Sequence, residues 1–232
     1  MRLDKLLADA GIGTRSEVKK LINKGLVKVD EKICKDASMN VNPEINSVMY
    51  NNEPVFYAEN RYYMLNKPAG TVSATKDALS DTVLDMLKGV PTKNLFPVGR
   101  LDKDTEGLLL ITDDGALAHN LLSPKKHVSK DYYVKTDKDV KQEFFAAFEQ
   151  GMDIGDEKPT LPAKLVKLGE CEYRITIVEG RYHQVKRMFE KCDSNVIFLK
   201  RLSMGPLMLD AELNPGEFRA LTDEEIQALK DR

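Results

Sequence analysis

Four consecutive apolar residues, Leu108-Leu109-Leu110-Ile111, directly follow three acids at alternate positions, Asp102, Asp104 and Glu106. A short apolar run of this length reads as a buried strand. A buried strand alone gives no reason for carboxylates crowded against its start. The acids bind a metal, lie solvated in a turn, or include a reacting group. The spacing Asp102, Asp104, Glu106, Gly107 mimics the opening of a calcium-binding EF-hand loop. The match then fails: the ninth position is Leu110, the twelfth is Asp113 instead of Glu, and Pro97 and Gly99 leave no room for a leading helix. No metal is expected. Asp104 and Glu106 read as solvated turn residues. Asp102 differs, because it follows Leu101 and lies between Arg100 and Lys103. An opposite charge nearby favours the ionised carboxylate, the form that a nucleophile or general base must take.

The first 35 residues read as two short helices and a hairpin. Leu3, Leu6, Leu7 and Ala10 share one helical face that stops at Gly11. Thr14 and Glu17 stand in capping-box spacing ahead of a second helix, which buries Val18, Leu21 and Ile22 and ends at Gly25. "LVKVDEKIC" alternates like two strands around a turn at "DEK". The next stretch, "NPEINSVMYNNEPVFYAEN", is turn-rich, and a domain boundary is placed near residue 60. The remainder alternates strands and helices irregularly, which predicts an α+β fold. "RYYMLNKPAG" reads as a strand running into a Pro-Gly loop, and "TVSATKDALSD" as a mobile loop. Three further helices are expected. One is capped by Ser80 or Asp81 and runs through Leu87, and one is capped by Asp114 and ends before Pro124. The third, capped by Asp137, has Val140, Phe144, Phe145 and Phe148 on its apolar face.

The net charge of −2 does not announce a polyanionic partner, but charge is unevenly placed. Residues 1–35 carry nine Lys or Arg against five acids, and residues 181–201 carry six against two. The cysteines Cys34, Cys171 and Cys192 form no CxxC pair, which suits a reducing cytoplasm. Charges throughout "MRLDKLLADAG" exclude a signal-peptide core, and no apolar run is long enough for a membrane span. With only His119, His127 and His183, and no ligand spacing among them, a zinc site is not expected.

"RLDKLLADAGIGTRSEVKKLI" resembles the S4 RNA-binding domain, a small αα-hairpin-plus-strands module, over roughly residues 1 to 50. "GRLDKDTEGLLLIT" is similar to the signature of the pseudouridine synthases, in the branch named for the RsuA enzyme. "LNKPAG" (Leu65 to Gly70), "SKDYYV" and "EGRYHQVKRMF" (Glu179 to Phe189) resemble that family's other motifs, in order. The resemblance implies an S4 domain over residues 1–60 and a catalytic domain of mixed-sheet α+β fold over residues 61–232. It makes Asp102 the catalytic residue, Tyr132 the aromatic against the target base, and Lys186 the basic partner of Asp102. The chemistry implied needs no cofactor: the glycosidic bond to N1 of a uridine breaks and the base rejoins through C5. Arg15, Lys19 and Lys20 are then expected to follow an RNA backbone, and Arg100, Arg181 and Arg187 to meet phosphates near the site. His183 is given a structural or RNA-contact role.

The form "GRYHQVKRMF" looks more like enzymes acting on small-subunit (16S) ribosomal RNA than like their large-subunit relatives, which more often carry N-R-Q-[VI]-R-R. The implied partner is thus ribosomal RNA, free or within an assembling small subunit, met by a cytoplasmic monomer with no membrane contact. The alternatives are a large-subunit rRNA enzyme of the same chemistry and a non-catalytic RNA-binding or ribosome-assembly protein.

Overall fold

The computed structural model describes residues 1–43, 45–55 and 60–231, in two compact units, Met1–Glu59 and Asn60–Arg232. In the first unit, α1 (Leu3–Asp9) and α2 (Arg15–Asn23) are followed by β1 (Val27–Val29), β2 (Lys32–Ile33), β3 (Val48–Tyr50) and β4 (Glu53–Pro54). The capping box forms: the Glu17 amide donates to Thr14 Oγ1 at 3.3 Å and the Thr14 amide to Glu17 Oε2 at 2.8 Å. Val18 and Ile22 are fully buried with Leu3, Leu6 and Leu7, whereas Leu21 is only partly covered. Gly25 adopts the left-handed conformation that ends α2 (φ +76°). Asp30 and Glu31 are both left-handed (φ 49° and 65°), giving a two-residue hairpin turn between β1 and β2. The sheet order is β2-β1-β3-β4, so the stretch that reads as turn-rich supplies two of its strands. Residues 44 and 56–59 of that stretch lie outside the described residues.

The second unit contains β5 (Tyr62–Lys67), β6 (Phe96–Pro97), β7 (Glu106–Thr112), α3 (Gly115–Leu122), β8 (Lys130–Thr136) and α4 (Phe145–Gln150). It continues with β9 (Lys164–Gly169), β10 (Glu172–Ile177), α5 (Gln184–Glu190), β11 (Val196–Met204), β12 (Leu207–Met208), β13 (Phe218–Ala220) and α6 (Asp223–Lys230). Among the described residues one mixed sheet runs β13-β5-β7-β11-β8-β10-β9, with β6 added to β7 and β12 to β11. Every strand pair in it is antiparallel except β7–β11. Strand β7 is apolar on consecutive positions because both its faces are covered. Leu108 and Leu110 join a core with Leu117, Leu121 and Leu229 beneath α3 and α6, while Leu109 and Ile111 join Leu65, Val83, Leu84 and Leu87 on the other side.

Asp114 caps α3, accepting from the Leu117 amide at 2.9 Å. The two other expected helices are corrected. Residues 80–87 form turns: the Thr82 amide and hydroxyl both donate to Asp85 at 2.8 Å, and Thr82 forms a bridge with Val72, so its backbone is drawn out of helical pairing. Val83, Leu84 and Leu87 are buried without a helix. Asp137 caps nothing, because its carboxylate accepts from the amide and side chain of Asn195 at 2.7 and 2.8 Å. The helix in that region begins only at Phe145, after a 3-10 turn, although Phe148 is fully buried as its apolar face requires.

Candidate active site

Asp102 lies in the loop that links β6 to β7, and three fastenings hold this loop. Ser73 Oγ donates to the carbonyl of Leu101 at 2.9 Å and accepts from its amide at 3.0 Å, so the residue before Asp102 is gripped on both backbone groups. Lys67, fully buried at the end of β5, reaches beneath the loop, and its ammonium donates to the carbonyls of Pro68, Lys103 and Thr105 at 3.1, 3.3 and 2.9 Å. The Gly70 amide donates to the Lys103 carbonyl at 2.7 Å. Burial pushes Lys67 down to about 8, against the opposing pull of Asp104, Asp102 and Glu106.

The cations beside Asp102 in sequence are not its partners. Lys103 Nζ donates to Ser80 Oγ at 2.9 Å, and the exposed Arg100 side chain makes no ion pair among the described residues. The countercharge comes instead from Lys186 of α5, whose Nζ is 3.3 Å from Asp102 Oδ2, and the His183 ring is beside it with Nε2 3.5 Å from Asp102 Oδ1. Lys186 is also 2.6 Å from Asp104 Oδ1, so Asp104, expected to be merely solvated, is half of an ion pair. For Lys186, burial opposes the charge, but the two carboxylates outweigh it and hold the ammonium above its ordinary value. For Asp104, burial pushes upward while Lys186 more than offsets it, leaving the carboxyl below its usual range. The rest of the EF-hand-like string goes elsewhere. Glu106 opens β7, and Asp113 accepts from the amide and Nε of Arg61 at 2.7 and 2.9 Å.

The start of α5 is shaped locally. His183 is left-handed (φ 48°), and Gln184 folds back to accept from the Arg181 amide and donate to Glu179, each at 3.0 Å. Val185, Met188 and Phe189 then face the core, which leaves Lys186 turned toward Asp102. Asp102, Lys186, His183, Ser73, Tyr132 and Arg201 together line a cavity of about 1010 Å³, large enough for a nucleoside with flanking backbone. Tyr132 belongs to β8 and is buried, and its hydroxyl has no hydrogen-bond partner among the described residues. The Tyr182 ring, 72% exposed, stacks on His183 with centroids 3.9 Å apart.

The structure brings Asp102, Tyr132, Lys186, Arg100 and Arg181 to one cavity, while the guanidinium groups of Arg181 and Arg187 are engaged within the protein. Arg181 binds Glu179 at 3.0 Å and the carbonyls of Lys158 and Pro159, and Arg187 binds Asp156 at 2.6 Å and the carbonyl of Ile154. Both guanidinium groups are tied to the 154–159 loop, so their charge is already met by protein acceptors. Arg15, Lys19 and Lys20 are exposed on α2, with Lys19 3.9 Å from Asp4. Sequence reasoning missed Ser73, Lys67 and the contact of His183 with Asp102. Lys67 lies within the motif "LNKPAG", but no role was read for it there.

A family model described as RNA pseudouridylate synthase matches residues 61–191, and one described as S4 domain matches residues 1–44. The chain is 48% identical to the uncharacterized RNA pseudouridine synthase YtzG of Bacillus subtilis (strain 168), covering 100% of this chain and 99% of that protein. It is 41% identical to ribosomal small subunit pseudouridine synthase A of Escherichia coli (strain K12), covering 99% of this chain and all (100%) of that protein. A solved structure described as a pseudouridylate synthase superposes with a TM-score of 0.71 at 39% identity, covering 99% of both chains.

Proposed function

The chain belongs to the RNA pseudouridylate synthase family and carries an S4 domain, and from that premise we propose that it isomerises one uridine of small-subunit ribosomal RNA, with Asp102 as the catalytic residue. It is an RNA pseudouridine synthase by family; the target and the residue roles are the proposal. The observation that carries it is the Asp102 carboxylate, held 3.3 Å from Lys186 at the wall of a cavity that Tyr132 also lines. The uridine must leave its stack to reach that carboxylate, and an aromatic face receives an unstacked base at roughly 1–3 kcal/mol. In the reaction N1–C1′ breaks, C5–C1′ forms, a proton leaves C5 and N1 takes one up; nothing is oxidised or transferred. Lys186 keeps the carboxylate oriented and countercharged, and Arg100 and the α2 cations Arg15, Lys19 and Lys20 meet the RNA backbone.

Small-subunit RNA is favoured over large by the form of "GRYHQVKRMF" and by the names of full-length relatives at about 40% identity, such as that of Vibrio cholerae. The test pairs pseudouridine mapping of both ribosomal RNAs in cells lacking the protein with single-turnover assays. One small-subunit position should lose its pseudouridine, and Asp102→Asn should abolish isomerisation with folding and RNA affinity close to wild type. A loss confined to large-subunit RNA would overturn the target, and Asn activity within tenfold of wild type would overturn the role of Asp102.

A further inference from the structure

Three buried side-chain polar atoms lack a hydrogen-bond partner among the described residues, and two of them, Thr105 Oγ1 and Arg201 Nη2, belong to residues lining the Asp102 cavity. Buried polar groups left unpaired are rare and call for a cause. Arg201 is the stronger case. It is 2% exposed, its Nε donates to the Leu108 carbonyl at 2.7 Å, and the rest of its guanidinium has no hydrogen bond and no carboxylate among the described residues. Taking such a group out of water without an acceptor is costly. The sheet places Arg201 beside the aromatic wall of the cavity. Arg201 on β11 is directly opposite Tyr132 on β8, and opposed residues of antiparallel strands share a face within about 5 Å. A base laid against Tyr132 therefore brings its edge over Arg201.

We propose that Arg201 is the uracil-binding donor of this site, giving a hydrogen bond to a carbonyl oxygen of the flipped base. The inference rests on the assignment of the Asp102 cavity as the uridine site. Guanidinium only donates, and uracil offers the acceptors O2 and O4. Phosphates stay with the strand, where the exposed Arg100 is available, so the base is what reaches a buried donor beside Tyr132. The same contact acts in the reaction. When N1–C1′ breaks, its electron pair stays on the base and spreads onto the carbonyl oxygens. A fixed donor there gains strength as charge develops.

The experiment takes the RNA that mapping identifies, whatever its class, as a short synthetic fragment carrying uridine, 2-thiouridine or 4-thiouridine at the target. Sulfur accepts hydrogen bonds weakly, so each analogue removes one candidate contact. Wild type, Arg201→Met and Arg201→Lys are compared for RNA binding and for single-turnover rate. In Arg201→Met the rate should fall about a hundredfold, the usual cost of losing such a donor, with RNA affinity changed less than about threefold because phosphates dominate it. One thio analogue should slow the wild type at least fivefold yet leave the Met variant no slower than it is on uridine. A purely structural role would move the rate without moving this coupling. If the Met variant fails to fold, Arg201→Lys, which keeps a donor, carries the comparison and should retain part of the thio effect. Thio effects equal in wild type and variant would overturn the role of Arg201 while Asp102→Asn remains inactive. An active Asp102→Asn would overturn the cavity assignment as well.

Discussion

The two residues that bear hardest on the site are tied to the fold in opposite ways. Tyr132 is 7% exposed and part of a core with Val134, Ile175 and Leu199, yet it also lines the cavity. Tyr132→Phe should keep single-turnover activity within about tenfold of wild type, whereas Tyr132→Leu should lose far more, since only the Leu variant removes the face worth roughly 1–3 kcal/mol in stacking. Melting curves of both variants separate packing loss from chemistry, and equal, severe losses would make the hydroxyl the working group. Lys67 is a buried ammonium held down to about 8. Between that value and its ordinary 10.5 the unfolded chain binds the proton that the folded one has lost, so Lys67 makes stability rise with pH across this window. Below it, Lys67 costs on the order of 3 kcal/mol. Denaturant titrations from pH 7 to 10.5 should show this slope in the wild type and lose it in Lys67→Met. Neither role of Lys67 was legible in sequence, because its three acceptors are backbone carbonyls, two of them on a loop some 36 and 38 residues away.

Elements whose signals are local read correctly. The Thr14–Glu17 box, the Asp114 cap, the Gly25 terminator and the "DEK" turn each place their cause within a few residues of their effect. Elements decided by distant partners did not. Ser80 Oγ accepts from Lys103 and Asp137 from Asn195, so two capping signals were used for other bonds. The same divide runs through the site. Asp102 and Tyr132 were recoverable from motif resemblance, but the pairing of Asp104 with Lys186 crosses 82 residues and leaves no pattern in either segment. Strand β7 also sets a steric condition. Gly107 is left-handed (φ +99°), and a Cβ there would lie 2.3 Å from the carbonyl oxygen of Arg201 on β11. Gly107→Ala should therefore destabilise the protein by about 2–4 kcal/mol, combining backbone strain with overpacking. It should also cut activity through Arg201; chemical denaturation read beside activity checks both.

At the scale of the whole molecule, the proposed roles give the two units separate tasks, holding RNA and acting on it. The exposed bases of α2 should supply affinity, and the Asp102 cavity chemistry. Replacing Arg15, Lys19 and Lys20 with Ala should flatten the slope of log affinity against log salt by about two to three units, with single-turnover rate at saturating enzyme nearly unchanged. Filter binding across a salt series reads this directly, and an unchanged slope would remove α2 from the RNA interface.

The parallel seam between β7 and β11 divides the reagents. The carboxylate of Asp102 comes from the side that β5, β6 and β7 build, while Lys186, Tyr132 and Arg201 come from the side built by β8, β10 and β11. Pairings between segments so far apart in the chain form slowly. A polypeptide still emerging from synthesis holds an acid without its ammonium and has no stacking face opposite it. On the proposed roles, a half-made copy would present its N-terminal bases to RNA before the acid, the ammonium and the aromatic wall had come together.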